Sequence, residues 1–566
     1  MFGRRSKPTA AVTGESVGAA DSKTTTPPAY DSAANSSDTP RNLSVAPEEL
    51  TGLSLYEKKC VLINHEMDRN GMGRYQWYIW FLCGFGYLLD LLWAQAFGLV
   101  LSPLQQELGF GNDQSGNISI AFSAGLTAGA AFWGILVDII GRKWAFNLTC
   151  LISAAFGLGL GGCNTYTSFL VITAFVGFGI GGNIPIDTTI CLEFLPQNRR
   201  FLLALLSIFQ PIGVVITSAI AYGFIPNYSC TPNFSQKNAL ESCNTAPAGA
   251  PCCSRADNMG WRYLMFTIGA LTLGVFLVRF VVFNFKESPK FLVFRNRDAE
   301  AVQVLEHIAH VNKRKCELRK EDLEALDRDE KVLGTAIIIA GSGAAQPSTW
   351  ASVKKELIRY RLLFDGWQMT RLTLLIWLTY ICDFWGFTLA GTYLPTIIAY
   401  KNGALELSLE FTYRSYMAIY TPGIVGVVIG TMMYRVPTVG RKWTMVISSG
   451  LMGASIFIFS AANSEASNIG LNAMEYFFQS MFNSVLYGWT PEVFPGPIRG
   501  TACGVASFWG RLFGIIAPIV GQSLVPKKGQ FGDANRVLYL AGGVTLGCVL
   551  FTALLPSNRV LGKQSY

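Results

Sequence analysis

Gly141-Arg142-Lys143-Trp144 returns as Gly440-Arg441-Lys442-Trp443, 299 residues further on. A second, unrelated pattern, E-x-x-P-x-x-x-R, stands at Glu193, Pro196 and Arg200 and again at Glu492, Pro495 and Arg499, at the same 299-residue offset. One recurrence carries little weight. Two unrelated strings sharing an offset say that the second half of the chain repeats the first.

Composition places that repeat in a membrane. Of 566 residues, 51% are hydrophobic and 14% charged, against roughly 25% charged in soluble domains. Twelve apolar stretches, near 77–101, 116–137, 145–163, 167–190, 202–224, 261–284, 372–396, 415–435, 443–462, 469–490, 501–523 and 537–555, are each long enough to cross roughly 30 Å of hydrocarbon. The expected fold is an all-α membrane protein of two pseudo-symmetric six-helix halves, 76–285 and 371–556. Duplicated hydrophobic halves are the build of secondary transporters. Residues 1–75, rich in Ser, Thr, Ala and Pro, read as a disordered cytosolic tail. No apolar stretch marks a cleavable signal near the first residue. The polar insert 286–370 contains a charged stretch, 298–331, that reads as a solvated helix. Residues 557–566 read as a short cytosolic C-terminus. The net charge of +8 then belongs to basic loops beside lipid and implies no nucleic-acid partner.

Basic residues cluster at Arg142, Lys143, Arg199, Arg200, the insert, Arg435, Arg441, Lys442 and Arg499. The positive-inside rule therefore puts both termini in the cytosol. Cys230, Cys243, Cys252 and Cys253 fall in the loop 225–260 on the opposite side, as do the sequons at Asn227 and Asn233. Disulfides and glycans both belong to an oxidising compartment, so at least one disulfide is expected there, its pairing open among three connectivities. The other cysteines are scattered without metal-type spacing, and no metal or cofactor is expected.

The run Gly134-Ile-Leu-Val-Asp138-Ile-Ile-Gly141-Arg142-Lys143 resembles the signature loop of the major facilitator superfamily. Its glycines are expected to let helices approach closely, and its charges to latch the cytosolic side shut. The second copy departs from this pattern, with Met433 and Pro437 in place of Gly134 and Asp138, so a latch that is weaker or built differently is expected there. The E-x-x-P-x-x-x-R loops and Glu-Ser-Pro-Lys-Phe-Leu (287–292) resemble those of sugar porters. That resemblance adds Glu193, Arg200, Glu492 and Arg499 to the cytosolic gate formed by Gly134, Asp138, Gly141, Arg142, Lys143, Gly440, Arg441 and Lys442. Gly-Phe-Gly-Ile-Gly-Gly-Asn (177–183) and Thr-Pro-Glu-Val-Phe-Pro (490–495) are similar to the synaptic-vesicle-two-related branch, especially its fungal members. The resemblance covers about 75–556.

Ionisable residues inside membrane spans are costly and mark function. All three histidines (His65, His307, His310) lie in expected cytosol, so a coupled proton has to ride on a carboxylate. Asp90, mid-span, resembles in position the proton-accepting acid of proton-linked sugar porters; Asp383 and Asp187 are the next candidates. Glu475 reads as a solvated cap at the outer end of its span. Arg511 needs an anion, either a substrate carboxylate or an acid such as Asp90 or Asp383. Asn183, Gln210, Asn483 and Tyr487 offer hydrogen bonds to a polar solute, and Trp93, Trp385 and Trp509 offer stacking faces.

These residues point to a proton-coupled carrier of a small organic solute, a sugar or an organic carboxylate, working by alternating access. Proton-antiport efflux of secondary metabolites and a non-transporting solute sensor are the competing readings. A phosphate-cradling G-x-x-x-x-G-K-[ST] string is absent, which disfavours an ATP-driven pump, and no enzyme is expected. The plasma membrane is the expected location, with a vacuolar or other internal membrane the alternative, and the chain is expected to be a monomer.

Overall fold

Span 10, Glu465–Val493, buries Asn468, Asn472, Glu475, Gln479 and Asn483, whereas large apolar side chains such as Val425, Met432 and Ile458 stay exposed. Polar groups inside and hydrocarbon outside is the inversion that lipid demands of a spanning bundle. The computed structural model describes residues 55–111, 114–231, 240–247, 249–282, 286–335, 361, 363–404, 408–436, 440–462, 464–494, 499–524 and 535–556.

Among these, twelve spans follow one another. Ten are long and apolar enough to cross a membrane: span 1 (Arg74–Leu108), span 3 (Arg142–Leu160), span 4 (Tyr166–Phe194), span 5 (Phe201–Phe224), span 6 (Gly260–Val281), span 7 (Gly366–Tyr393), span 8 (Leu409–Arg435), span 9 (Gly440–Ala461), span 11 (Ala502–Leu524) and span 12 (Asn535–Ala553). Span 2 (Asn117–Ile140) and the polar span 10 complete the set.

Several spans break where their sequences predict a fault. Span 4 interrupts at Gly181-Gly182, span 5 at Ser207-Ile208 ahead of Pro211, and span 8 at Thr421-Pro422, where proline withholds an N–H from the helix ladder. Span 6 ends in a π turn, Val278–Val282, of the kind that accompanies functional positions. Spans 2 and 4 pack backbone to backbone: a Cβ on Gly129 would lie 2.2 Å from the carbonyl oxygen of Phe178. The signature-loop Gly134 behaves otherwise. Nothing stands within 4 Å of its missing Cβ, so the close approach expected of it is made one and two turns earlier, at Gly129 and Gly125.

Two faces close the bundle. On the cystine face, the loop between spans 5 and 6 carries Cys230–Cys253 and Cys243–Cys252 disulfides and a two-residue parallel ladder, Glu241–Ser242 on Cys252–Cys253. Gln106 at the end of span 1 donates to the carbonyls of Thr231 and Leu240 at 2.6 and 2.8 Å, so the loop is stitched to that span. The sequon Asn227 is described and Asn233 lies outside the described residues.

On the basic face, helix Leu55–Asn70 packs with Pro289–Phe294, Asp298–Val311 and Lys320–Thr335. Residues 55–70 therefore depart from the disordered tail expected to residue 75. Leu62, Ile63 and Met67 are buried there, and Lys59 Nζ meets Asp298 at 2.6 Å and Asp327 at 2.8 Å. The charged stretch expected as one solvated helix is two amphipathic ones, split where Lys313 takes φ 56°. Ala301, Leu305 and Ile308 line their buried side. Asn312 ties this group to span 1, accepting from the Tyr75 N–H at 3.0 Å and donating to Gln76 at 2.8 Å.

Candidate functional site

Between the two halves lies a cavity of about 100 Å³, room for several waters, walled by spans 1, 2, 5, 7, 8, 10 and 11. Asp90 (span 1) and Arg511 (span 11) reach it from opposite halves, 3.6 Å apart. Arg511 Nε donates to Ser507 Oγ at 3.2 Å, while its Nη1 has no hydrogen-bond partner. The pair is thus looser than a bidentate fork, with one guanidinium edge uncommitted. Phe97, Phe122, Phe384 and Phe387 supply apolar wall, and Gln95, Gln479, Tyr420 and Glu475 polar wall. Glu475 is 5% exposed, which overturns its reading as a solvated cap.

The other expected proton and solute residues are arranged differently. Asp187 and Arg279 form an ion pair at 3.3 Å with both side chains fully buried. Arg279 also donates to the carbonyls of Leu82 (2.9 Å) and Phe146 (3.3 Å) and lies over the Phe146 ring. A site this filled is a structural joint of spans 1, 3, 4 and 6. Asp383 (span 7) is buried beside Asn483 (span 10), whose amide nitrogen, turned towards it, lies 3.1 Å from both carboxylate oxygens. Neither residue is in the cavity wall in this conformation.

Trp93 is fully buried, donating to Thr272 Oγ1 at 3.1 Å, with its ring against Gly157; it packs the first half. Trp509 stands 5.8 Å from the Trp377 ring, and Trp385 5.9 Å from Phe513. Tyr487 is 6.1 Å from the Tyr380 ring. Asn183 is buried with neither amide atom bonded among the described residues, and Gln210 is buried next to Pro211. None of these six forms the cavity wall.

The two halves touch on either side of the cavity. Towards the cystine face, Tyr413 donates to the Leu99 carbonyl (2.8 Å), Thr392 to Ser119 (2.9 Å) and Tyr222 to Glu410 (3.1 Å), each bond joining the two halves. Towards the basic face, Gly488 presses on Ala204, where a Cβ would sit 2.7 Å from its Cβ, and Arg435 covers the Phe201 ring at 4.5 Å.

The signature strings cluster on the basic face in two parallel sets. Arg142 meets Glu193 at 3.5 Å, and Arg441 meets Glu492 at 2.7 Å. The second-half pair is the shorter. Gly141 takes φ 95°, and a Cβ there would reach 2.5 Å from Glu287. That geometry lets Glu287 accept from the backbone N–H groups of Arg142 (3.1 Å) and Lys143 (3.3 Å). Lys442 donates to the Leu555 carbonyl at 2.8 Å, and Gly440 has φ 57°. The side chains of Asp138 and Arg499, and Pro437, lie outside the described residues. Sequence reasoning missed Arg279 and the cluster in which Glu107 accepts from Arg262 (2.6 Å) and Trp261 (2.8 Å).

The profile described as Major Facilitator Superfamily matches residues 83–436 and 376–565. The chain belongs to the major facilitator superfamily. It is 37% identical over 512 residues to "MFS siderochrome iron transporter 1" of Ceriporiopsis subvermispora, covering 89% of this chain and 91% of that one. It is 25% identical to the "Niacin transporter NiaP" of Acinetobacter baylyi, covering 79% and 87%. The fold is similar to the xylose transporter XylE from E. coli, with TM-score 0.59, 14% identity and coverage of 86% and 99%. This superfamily member is accordingly an integral, multi-pass membrane transporter and not an enzyme.

Proposed function

We propose that this transporter moves a small organic carboxylate together with one proton. The observation that carries the reading is the loose Asp90–Arg511 pair on the cavity wall, with a guanidinium edge free to take an anion. A proton on Asp90 ends its hold on Arg511, and the solute's carboxylate takes the vacated place. Empty, the two groups sum to zero charge; loaded, neutral Asp90, Arg511 and the solute carboxylate again sum to zero. For a solute whose only charge is its carboxylate, transport through this pair is therefore electroneutral and driven by a pH difference rather than by voltage, whereas a solute that also carries a cation would add one positive charge per cycle. The niacin transporter relative, whose named solute is a pyridine carboxylate, supports this solute class. The basic loops support termini in the cytosol, with the cystine face outside and the plasma membrane as the host.

Proteoliposomes with an imposed pH difference test the reading, using labelled benzoate and nicotinate. Accumulation should follow the pH difference and ignore a potassium-valinomycin potential. Asp90→Asn should still exchange solute across the membrane yet fail to concentrate it. Undiminished accumulation in Asp90→Asn would reject Asp90 as the carrier.

A second reading, uptake of an iron chelate, follows the name of the 37% identical relative. It requires the cavity to widen well beyond about 100 Å³. Accumulation of a labelled ferric chelate with no carboxylate transport would favour it.

A further inference from the structure

Glu475 is unusual among the buried acids. It borders the central cavity and also a small apolar recess among spans 7, 9, 10 and 12 that includes Tyr393 and Asn472. Among the described residues it makes no ion pair or hydrogen bond, whereas Asp187 has Arg279, Asp90 has Arg511 and Asp383 has Asn483. Asn472 offers no help, because its amide nitrogen donates to the Asn468 carbonyl at 2.6 Å. An acid held in an apolar wall without a partner is costly unless something else supplies one. Beside it stand Tyr420 and Tyr476, rings edge-on at 4.8 Å, and phenol faces attract cations.

The separation from Arg511 sets the size of what fits. Arg511 lies against Phe384 of span 7, at 6.0 Å from its ring, and Glu475 shares the recess wall with Ala390 of the same span. Six residues of helix put these two levels about 9 Å apart along the axis, at ~1.5 Å per residue. Charge points the same way. Once a proton sits on Asp90 and a carboxylate on Arg511, Glu475 is the acid of the cavity wall still without a counter-charge, at the opposite end of the solute.

We propose that Glu475 is a specificity-determining residue that binds a cationic nitrogen, so that the solute is a zwitterion with its carboxylate on Arg511 and its nitrogen between Glu475 and the tyrosines. This rests on the carboxylate reading of Arg511. An isosteric pair of probes separates the two: 3-methylbenzoate, and N-methylpyridinium-3-carboxylate, competing for uptake in proteoliposomes of the full chain. The wild type should favour the pyridinium by at least tenfold, the range of a desolvated cation–π and ion-pair contact. In Glu475→Gln, checked as monodisperse by size exclusion, that ratio should fall to within about threefold, and Glu475→Asp should retain part of it. Equal competition by both probes in the wild type, lost in Arg511→Gln, overturns the role of Glu475 and leaves the carboxylate reading standing. A ratio unchanged in Glu475→Gln overturns it too. If neither probe competes, both readings fall together.

Discussion

At the scale of single residues, two arginine–aspartate pairs 3.3 and 3.6 Å long serve opposite ends. The Arg279 guanidinium is engaged by two carbonyls, Cys150 Sγ, a ring face and Asp187, with only its Nε unbonded among the described residues. Arg511 borders a cavity and keeps its Nη1 unbonded. Removing one member of a fully buried pair leaves an uncompensated charge at a cost of about 3–5 kcal/mol. Asp187→Asn should therefore lower the melting temperature in detergent sharply, whereas Asp90→Asn, at a longer pair that borders the cavity, should lower it less. Gly86 provides a second check, because a Cβ there would lie 1.6 Å from the Asp187 carboxylate. Gly86→Ala should match the instability of Asp187→Asn, and a normal melting curve would show that the joint yields. The intramembrane acids were legible in the sequence, and so was the need of Arg511 for an anion. Their partners were not: Arg279 closes an apolar run near a basic loop, where it reads as one more topogenic charge. Glu475 misled in the other direction, since distance from a helix end says nothing about which face of the helix is turned inward.

At the scale of elements, glycine spacing on spans 2 and 4 matters more than the signature glycine itself. With a carbonyl oxygen 2.2 Å from where its Cβ would be, Gly129 admits no side chain unless the helices separate. Gly129→Leu should abolish monodisperse protein, while Gly134→Leu, with open space around it, should be tolerated. The repeated strings did foretell both charge pairs, because a duplicated loop at equal offset lands on equivalent helix ends. The helix Leu55–Asn70 went unread for a physical reason. It is polar overall, and its buried stripe acquires meaning from the insert helices that cover it, some 240 residues later in the chain. Lys59, with a side chain 4% exposed between two aspartates, is the pin of that assembly. Lys59→Met strands two carboxylates at once, so limited proteolysis of the variant should cut near 50–75 at protease doses the wild type withstands.

At the scale of the whole molecule, the fold class, the twelve spans and the division into halves were all readable from the repeat and hydropathy. What no pattern could report was the conformation, since bonds that join the two halves come from side chains on non-equivalent spans. Three of them, Tyr413 to Leu99, Thr392 to Ser119 and Tyr222 to Glu410, must break for the cavity to open towards the cystine face. Tyr413→Phe, losing one such bond worth about 1 kcal/mol, should shift the population towards that opening roughly fivefold. Accessibility of a cysteine introduced at Ser119 to an impermeant thiol reagent would register the shift.

The stitched cystine loop also orders events in time. Both disulfides join residues between 230 and 253, and among the described residues their loop bonds to span 1 and its neighbours. All of that chain has left the ribosome before span 7 begins at Gly366, and domains fold in order of synthesis. The first half is thus covalently sealed while the second is still being made, and it presents a finished template against which spans 7–12 assemble. Pulse-labelled nascent chains arrested near residue 340 should already carry both disulfides, with reductant added after release no longer able to prevent the second half from joining.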